Sequence, residues 1–141
     1  MIILDNYTHQ IEEFIQNSIE RFKIEKGVPN SIGIYCCPWS GWVTTNINLG
    51  KTLEETDNNC PDFEFVEFDL LELPEWEEEY GNDNPVFESN GLTMKFNHDL
   101  GDEIFNEAIF NFLIPIIYRI KGKNNCEFLF QMLDSSFVKS I

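Results

Sequence analysis

Apolar side chains near the start of the chain recur at helical spacing. Between about Tyr7 and Lys26 they keep the i, i+3, i+4, i+7 pattern of a helix that buries one stripe. The residues of this stripe are Ile11, Phe14, Ile15, Ser18, Ile19 and Phe22. Thr8 is expected to cap the N-terminus of the helix, and Gly27 followed by Pro29 is expected to end it. The pattern predicts an amphipathic N-terminal helix.

A broader apolar stripe predicts a second long helix from Asp102 to about Lys121. Its apolar residues are Ile104, Phe105, Ala108, Ile109, Phe112, Leu113, Ile116 and Ile117. Acids lie at the start of this segment and basic residues at its end, which matches the helix dipole. Pro115 lies inside it, so we expect this residue to kink the helix or to end it early.

Between the two helices the pattern changes to that of strands. Ser31–Cys37 is rich in β-branched, aromatic and small residues, and Gly41–Leu49 alternates between two sets of side chains. The short connection Pro38–Gly41 suits a hairpin. The apolar segment Cys126–Leu133, near the end of the chain, is compatible with either a helix or a strand.

A third strand is predicted at Phe63–Leu71, although its apolar residues change face along the segment. Phe63 and Phe65 share one face, whereas Val66, Phe68 and Leu70 share the other. A β-bulge near Phe65 and Val66 would reconcile the two sets, as would a strand that is covered on both faces.

Three shorter segments flank this strand. Thr52–Asn59 predicts a short acidic helix or turn. Leu73–Tyr80 predicts a helix with Pro74 at its first position and acids in its first turn, both of which are favourable there. Gly81–Asn84 predicts a loop.

Together these elements predict one α+β domain over residues 1–141, with neither an internal repeat nor a linker. We expect a mostly antiparallel sheet of three or more strands, packed by an N-terminal and a C-terminal helix. The strands of this expected sheet are Ile32–Cys37, Trp42–Asn48 and Phe63–Leu70. A hydrophobic content of 43% with 13 Phe argues against disorder, although the net charge is −16.

The charge is concentrated in one part of the chain. The segment Thr52–Met94, here called the acidic window, contains 14 of the 25 acids and not one Lys or Arg. Its formal charge of −14 leaves only −2 on the remaining residues. Such a one-sided field attracts a basic partner. Binding to a nucleic-acid backbone is not expected, because the nine Lys and Arg are scattered.

Aromatic and acidic residues are interleaved within the acidic window, which indicates a protein-binding face with a carboxylate rim. The predicted partner-binding residues are Glu64, Glu67, Asp69, Glu72, Glu75, Trp76, Glu77, Glu78, Glu79 and Asp83. Trp76 is either the aromatic anchor of this face or a core residue. The alternative interpretation is a solvated acidic surface above an ordinary Phe and Trp core.

Catalytic and metal-binding patterns are not found in the sequence. His9 and His98 have no ligand-type partner at i+4, and Ser40 is not framed by the glycines of a nucleophile elbow. We therefore expect neither an enzyme, nor a cofactor, nor a metal site.

The cysteines indicate a reducing compartment. Cys36, Cys37, Cys60 and Cys126 form no C-x-x-C pair, and the first residues lack the features of a signal peptide. The longest apolar segment, Ile109–Ile117, is too short to span a bilayer. These features predict a cytoplasmic protein with reduced thiols and without a membrane partner.

The order of the predicted elements between Ile11 and Tyr80 resembles that of a known family. An amphipathic helix precedes a hairpin, Ile32–Tyr35 to Trp42–Asn46. An acidic stretch headed by Lys51-Thr52-Leu53-Glu54-Glu55 and a Leu-Pro-Glu-Trp-Glu segment with Glu75-Trp76 and trailing acids follow. This arrangement is similar to small acidic bacterial immunity proteins of the DUF4303 type, which occur beside polymorphic toxins.

The resemblance implies a non-catalytic inhibitor that binds and neutralises a cognate toxin domain. A basic nuclease fits the acidic face, because a nuclease groove carries the opposite charge. The main alternative is an acidic adaptor or regulatory protein-binding module without a toxin partner. A nucleic-acid mimic is a third reading, and it would require carboxylates spaced like phosphates.

Overall fold

The two long amphipathic helices form where their apolar stripes predict them. A computed structural model describes residues 1–141, with helix α1 at Thr8–Glu25 and helix α3 at Glu103–Gly122. The shorter helix α2 occupies Pro74–Tyr80, and Pro74 is its first residue as predicted. None of these helices has the length and hydropathy needed to cross a bilayer.

Helix α1 begins within one residue of the predicted start and ends as predicted, but the capping role expected of Thr8 is wrong. A 3-10 turn at Leu4–Tyr7 runs directly into the helix, so Thr8 is itself helical and its side chain makes no capping hydrogen bond. A capping residue must lie outside the helix in an extended conformation, which the turn prevents. At the other end Gly27 has φ of +123° and donates its N–H to the carbonyl of Phe22 at 3.2 Å, which is a usual way to end a helix.

Pro115 does not end α3, which continues for seven residues beyond it, to Gly122. Proline cannot donate a hydrogen bond to the carbonyl of Asn111. Pro115 is exposed, so water can solvate that carbonyl, while Leu113 and Ile116 on either side are buried in the core. Packing of the apolar face therefore maintains the helix across the missing bond.

The main sheet has five strands in the order β4-β3-β2-β7-β8. These strands are β2 at Ser31–Cys37, β3 at Trp42–Asn48, β4 at Phe65–Glu72, β7 at Glu127–Met132 and β8 at Val138–Ser140. Only the β2–β7 pair is parallel, so the prediction of a mostly antiparallel sheet is confirmed. The segment near Cys126, which was open between helix and strand, forms β7 because it pairs with the buried central strand β2.

A second sheet of three strands was not predicted. It contains β1 at Ile2–Ile3, β5 at Val86–Ser89 and β6 at Leu92–Lys95, in the order β1-β5-β6. Asn90 and Gly91 join β5 to β6 with φ of 52° and 77°, the conformation of a type I′ hairpin turn. The Asn-Gly pair is the local sequence signal for this hairpin.

Strand β4 contains a bulge close to the predicted position. Thr45 pairs with Asp69 and Ile47 pairs with Phe65, so three residues of β4 lie opposite Asn46 alone. Glu67, at the centre of these three, has φ of +49°. The bulge therefore follows Phe65 directly and includes Val66, the two residues near which it was predicted.

The bulge decides which aromatic residues share a side of the sheet. Phe65 and Phe68 both pack edge-on against Phe22 of α1, with centroid distances of 5.2 and 5.1 Å. Phe63 lies outside the strand and packs with Cys60 in a separate small cluster. The prediction that Phe63 and Phe65 share a face is therefore wrong.

The remaining short segments follow the prediction. The stretch Thr52–Asn59 contains one 3-10 turn, at Glu54–Thr56, and Gly81–Asn84 is a loop. The main core of 23 buried residues lies between the helices and the sheets. A buried hydrogen bond of 2.7 Å between Ser18 of α1 and Thr45 of β3 fixes that helix on the sheet.

Candidate functional site

The two faces of the main sheet are covered differently. Helices α1 and α3 pack on the face that carries Ile32, Ile34 and Val43. The opposite face is covered over part of its area by the connection between β3 and β4. That connection forms a small apolar cluster with the sheet: Leu53, Cys60, Phe63 and Leu129. The rest of this side of the sheet, here called the open face, has no helix above it.

A depression of about 380 Å³ lies on the open face. Its walls are formed by Tyr35, Trp42, Thr44, Asn46, Pro61, Val66, Glu67 and Leu70. The rings of Tyr35 and Trp42 meet edge-on with their centroids 5.6 Å apart. Val66 is 51% exposed and Leu70 is 43% exposed. The centre of the open face is therefore apolar and accessible.

The strand register explains which side chains reach this face. Leu70 pairs with Thr44 and Glu72 pairs with Trp42, so alternation places Glu72 on the same side as Leu70. The bulge brings Val66 and Glu67 to the depression as well.

The buried side-chain amide of Asn46 stabilises the bulge through hydrogen bonds. Its Oδ1 accepts the backbone N–H of Glu67 at 2.8 Å, and its Nδ2 donates to the carbonyl of Gly33 at 3.3 Å and to Thr44 Oγ1 at 3.1 Å. The amide of Asn46 thus replaces the strand partner that Glu67 lost at the bulge. The shape of the depression depends on this one buried side chain.

Of the ten predicted partner-binding residues, Glu67 and Glu72 border the open face. Both are exposed, and neither carboxylate has a cationic partner within 4 Å. They provide negative charge beside an apolar centre, which is the arrangement expected of an interface core with a charged rim.

Helix α2 carries a second group of predicted residues. Glu75, Glu77 and Glu78 are exposed on it, and Asp83 is exposed in the loop that follows. None of these four carboxylates forms an ion pair. The short helix begins two residues after β4 ends, so this second acidic group continues from the end of the strand that carries Glu72.

Three of the predicted residues instead form hydrogen bonds or ion pairs with other parts of the chain. Glu64 Oε1 accepts the backbone N–H groups of Gly50 and Lys51 at 2.8 and 3.0 Å, and these hydrogen bonds lower the pKa of Glu64. Glu79 accepts a hydrogen bond from the amino group of Met1 at 2.9 Å and another from the N–H of Val86 at 3.0 Å, and these two contacts lower the pKa of Glu79.

Asp69 is the third of these residues. It lies 2.6 Å from the guanidinium of Arg21, which also stacks over the ring of Phe68. This contact attaches β4 to α1 on the helix side of the sheet. Asp69, like Glu64 and Glu79, therefore contributes to the fold more than to a free acidic surface.

Trp76 is a core residue. It is fully buried, and its ring contacts Tyr7 and Phe112 at centroid distances of 5.6 and 6.4 Å. Trp76 and Tyr80 are four residues apart, so they lie on the same face of α2, and this face packs on the core. Glu75, Glu77 and Glu78 lie on the exposed side of the helix. The reading of Trp76 as an exposed anchor is wrong, because α2 packs with its aromatic side inward.

The aromatic residues that are accessible on the open face, Tyr35 and Trp42, were not among the predicted site residues. Both lie on the central strands and are only partly buried. The available sequence signal was the alternation of β3, in which Trp42, Thr44 and Asn46 form one face. That alternation shows that the three share a side, but only the position of the β3–β4 connection shows that this side is open.

Titratable groups elsewhere do not converge. No three His, Cys, Asp or Glu side chains are arranged so as to hold a metal ion. His9 Nε2 lies 3.1 Å from the carboxylate of Glu13, and His98 Nε2 lies 2.8 Å from the carbonyl oxygen of Asn82. The four cysteines are free, and burial raises the pKa of the Cys36 and Cys37 thiols, so these two remain protonated and weakly nucleophilic at neutral pH.

Comparisons of the chain with protein-family models, with curated proteins and with solved structures find no match.

Proposed function

We propose that this protein is an immunity protein that binds a cognate toxin domain through the open face and its acidic border. The observation that carries the proposal is the exposed apolar centre of Val66 and Leu70 beside two unpaired carboxylates, Glu67 and Glu72. The protein acts as a non-catalytic inhibitor without a cofactor, and its partner is a protein and not a nucleic acid or a membrane.

The apolar centre supplies part of the affinity. Complete burial of a Val or Leu side chain contributes about 1.5–3 kcal/mol, and roughly half of each of these two side chains is still exposed. Covering both therefore contributes about 2 kcal/mol, to which the aromatic walls of Tyr35 and Trp42 add contact area. An interface with a small buried centre and a polar border is typical of specific protein complexes.

The carboxylates increase the rate of association and favour a partner of opposite charge. A nuclease toxin must present Lys and Arg to the phosphates of its substrate, so its groove has the charge that the acidic window attracts. Opposite charges accelerate association, and the acceleration decreases as salt screens it. The proposed partner is therefore a basic toxin domain of the nuclease type.

The test is binding of the purified protein to the product of the neighbouring gene, with on-rates measured at several salt concentrations. We expect a one-to-one complex that suppresses the toxin activity and that forms more slowly as salt is added. If the neighbouring product is not a toxin, or is a toxin that this protein neither binds nor inhibits, the immunity proposal is wrong. A one-to-one complex with a non-toxic partner would favour the adaptor reading.

Two variants locate the interface. Leu70→Ser should weaken binding about five-fold, equivalent to about 1 kcal/mol, while the melting temperature stays close to that of the parent protein. Glu67→Lys with Glu72→Lys should lower the on-rate and flatten its salt dependence.

The matched control has the same change in net charge on the helix side of the sheet. Glu13→Lys with Glu20→Lys alters two exposed acids of α1. If the control pair and the open-face pair slow association equally, only the overall charge matters and the open face is not the interface.

A further inference from the structure

The second sheet ends in an edge that the rest of the chain does not cover. Strand β6 is the outer strand of this sheet and pairs only with β5. Met94 pairs with the buried Phe87, so Met94 and Leu92 point to the side of the sheet that faces the core. Leu92 is nevertheless 67% exposed. Leu92 thus points toward the core side of the sheet but stays exposed to solvent, because no further strand pairs with β6.

A groove continues from this edge along α3. Two adjoining cavities of about 310 and 440 Å³ lie between β6 and the helix, and both are lined by Met94, Ala108 and Asn111. Ile104, at 50% exposure, lines the first of them. Ile104, Ala108 and Asn111 have the i, i+4, i+7 spacing of one helix face. This side of α3 therefore lacks a covering layer at the place where an added strand would supply one.

The backbone of β6 has free hydrogen-bonding groups at the same edge. Phe96 donates its N–H to the carbonyl of Pro85 at 2.9 Å. Paired and unpaired positions alternate in an antiparallel ladder, so Met94 and Leu92 bond to β5 while Thr93 and Lys95 direct their N–H and C=O groups outward. An extended segment can bond directly to Thr93 and Lys95.

The other free edges of the structure are less suited to pairing. Strand β4 has the bulge at Glu67 and several acids, which are features that prevent edge pairing. Strand β8 has only three residues, with Lys139 at its centre, and β1, the other edge of the second sheet, has only two. The edge of β6 combines regular backbone, exposed apolar side chains and an adjoining groove.

We propose that this edge pairs with a second copy of the chain, so that two β6 strands join antiparallel across a two-fold axis. The local charge favours a second copy over a basic partner, because the groove carries one residue of each sign, Lys95 and Glu107. A basic chain would be attracted to the unpaired carboxylates beside the open face and on α2, whereas a nearly neutral surface is the place where two molecules of charge −16 can meet.

The two-fold pairing follows from the outward groups of β6. Thr93 of one protomer lies opposite Thr93 of its partner, and each donates its N–H to the carbonyl of the other. Leu92 then lies opposite Met94 of its partner, and the helices α3 of both protomers lie on the same side of a continuous six-stranded sheet. Leu92 becomes covered in this arrangement. The proposal is independent of toxin binding, which uses the open face of the other sheet.

The test is the mass of the full-length chain by sedimentation equilibrium over a range of protein and salt concentrations. We expect a dimer of twice 16.5 kDa. Added salt should strengthen the dimer, because it screens the repulsion between two acidic protomers. This is the opposite of the salt effect expected for toxin association, so the two proposals fail separately.

Thr93→Pro is the decisive variant. It removes the outward N–H that pairs across the axis but no bond to β5, and proline is tolerated on an edge strand. Two interstrand hydrogen bonds are lost per dimer, so dimerisation should weaken by about 30-fold or more with little change in the melting temperature. The control Thr93→Ser keeps the N–H and should remain dimeric, as should Val138→Lys on the β8 edge.

Two results would overturn the proposal. One is a mass of 16.5 kDa at every concentration up to about 1 mM. The other is a dimer whose dissociation constant is the same in Thr93→Pro and in Thr93→Ser. If Thr93→Pro fails to fold, Leu92→Lys provides the same test with the exposed side chain, and a dimer of unchanged affinity in that variant counts against the edge.

Discussion

Replacing Trp76 by alanine removes a large, fully buried side chain from the side of α2 that packs on the core. Removal of a buried Trp or Phe side chain commonly costs 3–5 kcal/mol. Here part of that cost is offset, because the indole N–H of Trp76 has no acceptor in the fold and deleting an unpaired buried donor returns about 1 kcal/mol. The expected loss in the free energy of unfolding is therefore about 3 kcal/mol, or roughly 10 °C in melting temperature for a chain of this size.

Trp76→Ala should also destabilise helix α2 locally. A helix of seven residues is not stable alone, so it depends on Trp76 and on Tyr80, whose ring stacks on Phe105 at 4.1 Å. The loss of Trp76 should loosen the helix that displays Glu77 and its neighbours, which hydrogen exchange of the α2 amides would detect.

Urea unfolding followed by far-UV circular dichroism measures the predicted loss without relying on the fluorescence of the deleted residue. Trp76→Phe is the matched control, because it keeps most of the volume and removes the unpaired N–H; it should lose less than about 1 kcal/mol. A Trp76→Ala loss below about 1 kcal/mol, together with weaker partner binding, would refute the core assignment and restore Trp76 as an interface anchor.

Three further predictions concern other parts of the fold. Gly33→Ala should destabilise by about 1–3 kcal/mol, because an added Cβ would lie 2.7 Å from Cys60 Sγ and overpack the small cluster; a melting temperature equal to that of the parent protein would contradict this packing. The lowered pKa of Glu64 contributes stability above its ordinary value of 4.5, and this contribution is lost as the pH falls through the folded pKa. The stability advantage of the parent protein over Glu64→Gln should therefore be largest above about pH 5 and should shrink below pH 4.5, whereas a pH-independent difference would refute the role of the Gly50 hydrogen bond. The four free cysteines form no cross-link, so melting curves with and without a reductant should coincide, and a lower melting temperature in reductant would contradict that assignment.

The sequence by itself determined the elements whose signals are local. The stripe from Ile11 to Phe22 has a period of 3.6 that only a helix can bury, and the alternation of β3 can be buried only as a strand. Two amphipathic helices around strand-period segments allow few arrangements other than one α+β domain. The concentration of acids in Thr52–Met94 is likewise a property of the sequence, since no packing can change its net charge.

The tertiary structure decided everything that depends on what lies beside a residue. Segment 126–133 became a strand because β2 offered it a parallel partner, which no local pattern records. The acids of the window look alike in the sequence, yet Glu64, Asp69 and Glu79 are taken up by hydrogen bonds and ion pairs inside the fold, while Glu67 and Glu72 remain free. Burial and exposure are relations between distant segments, and so the open face and its acidic border exist only once the β3–β4 connection has covered the rest of the sheet.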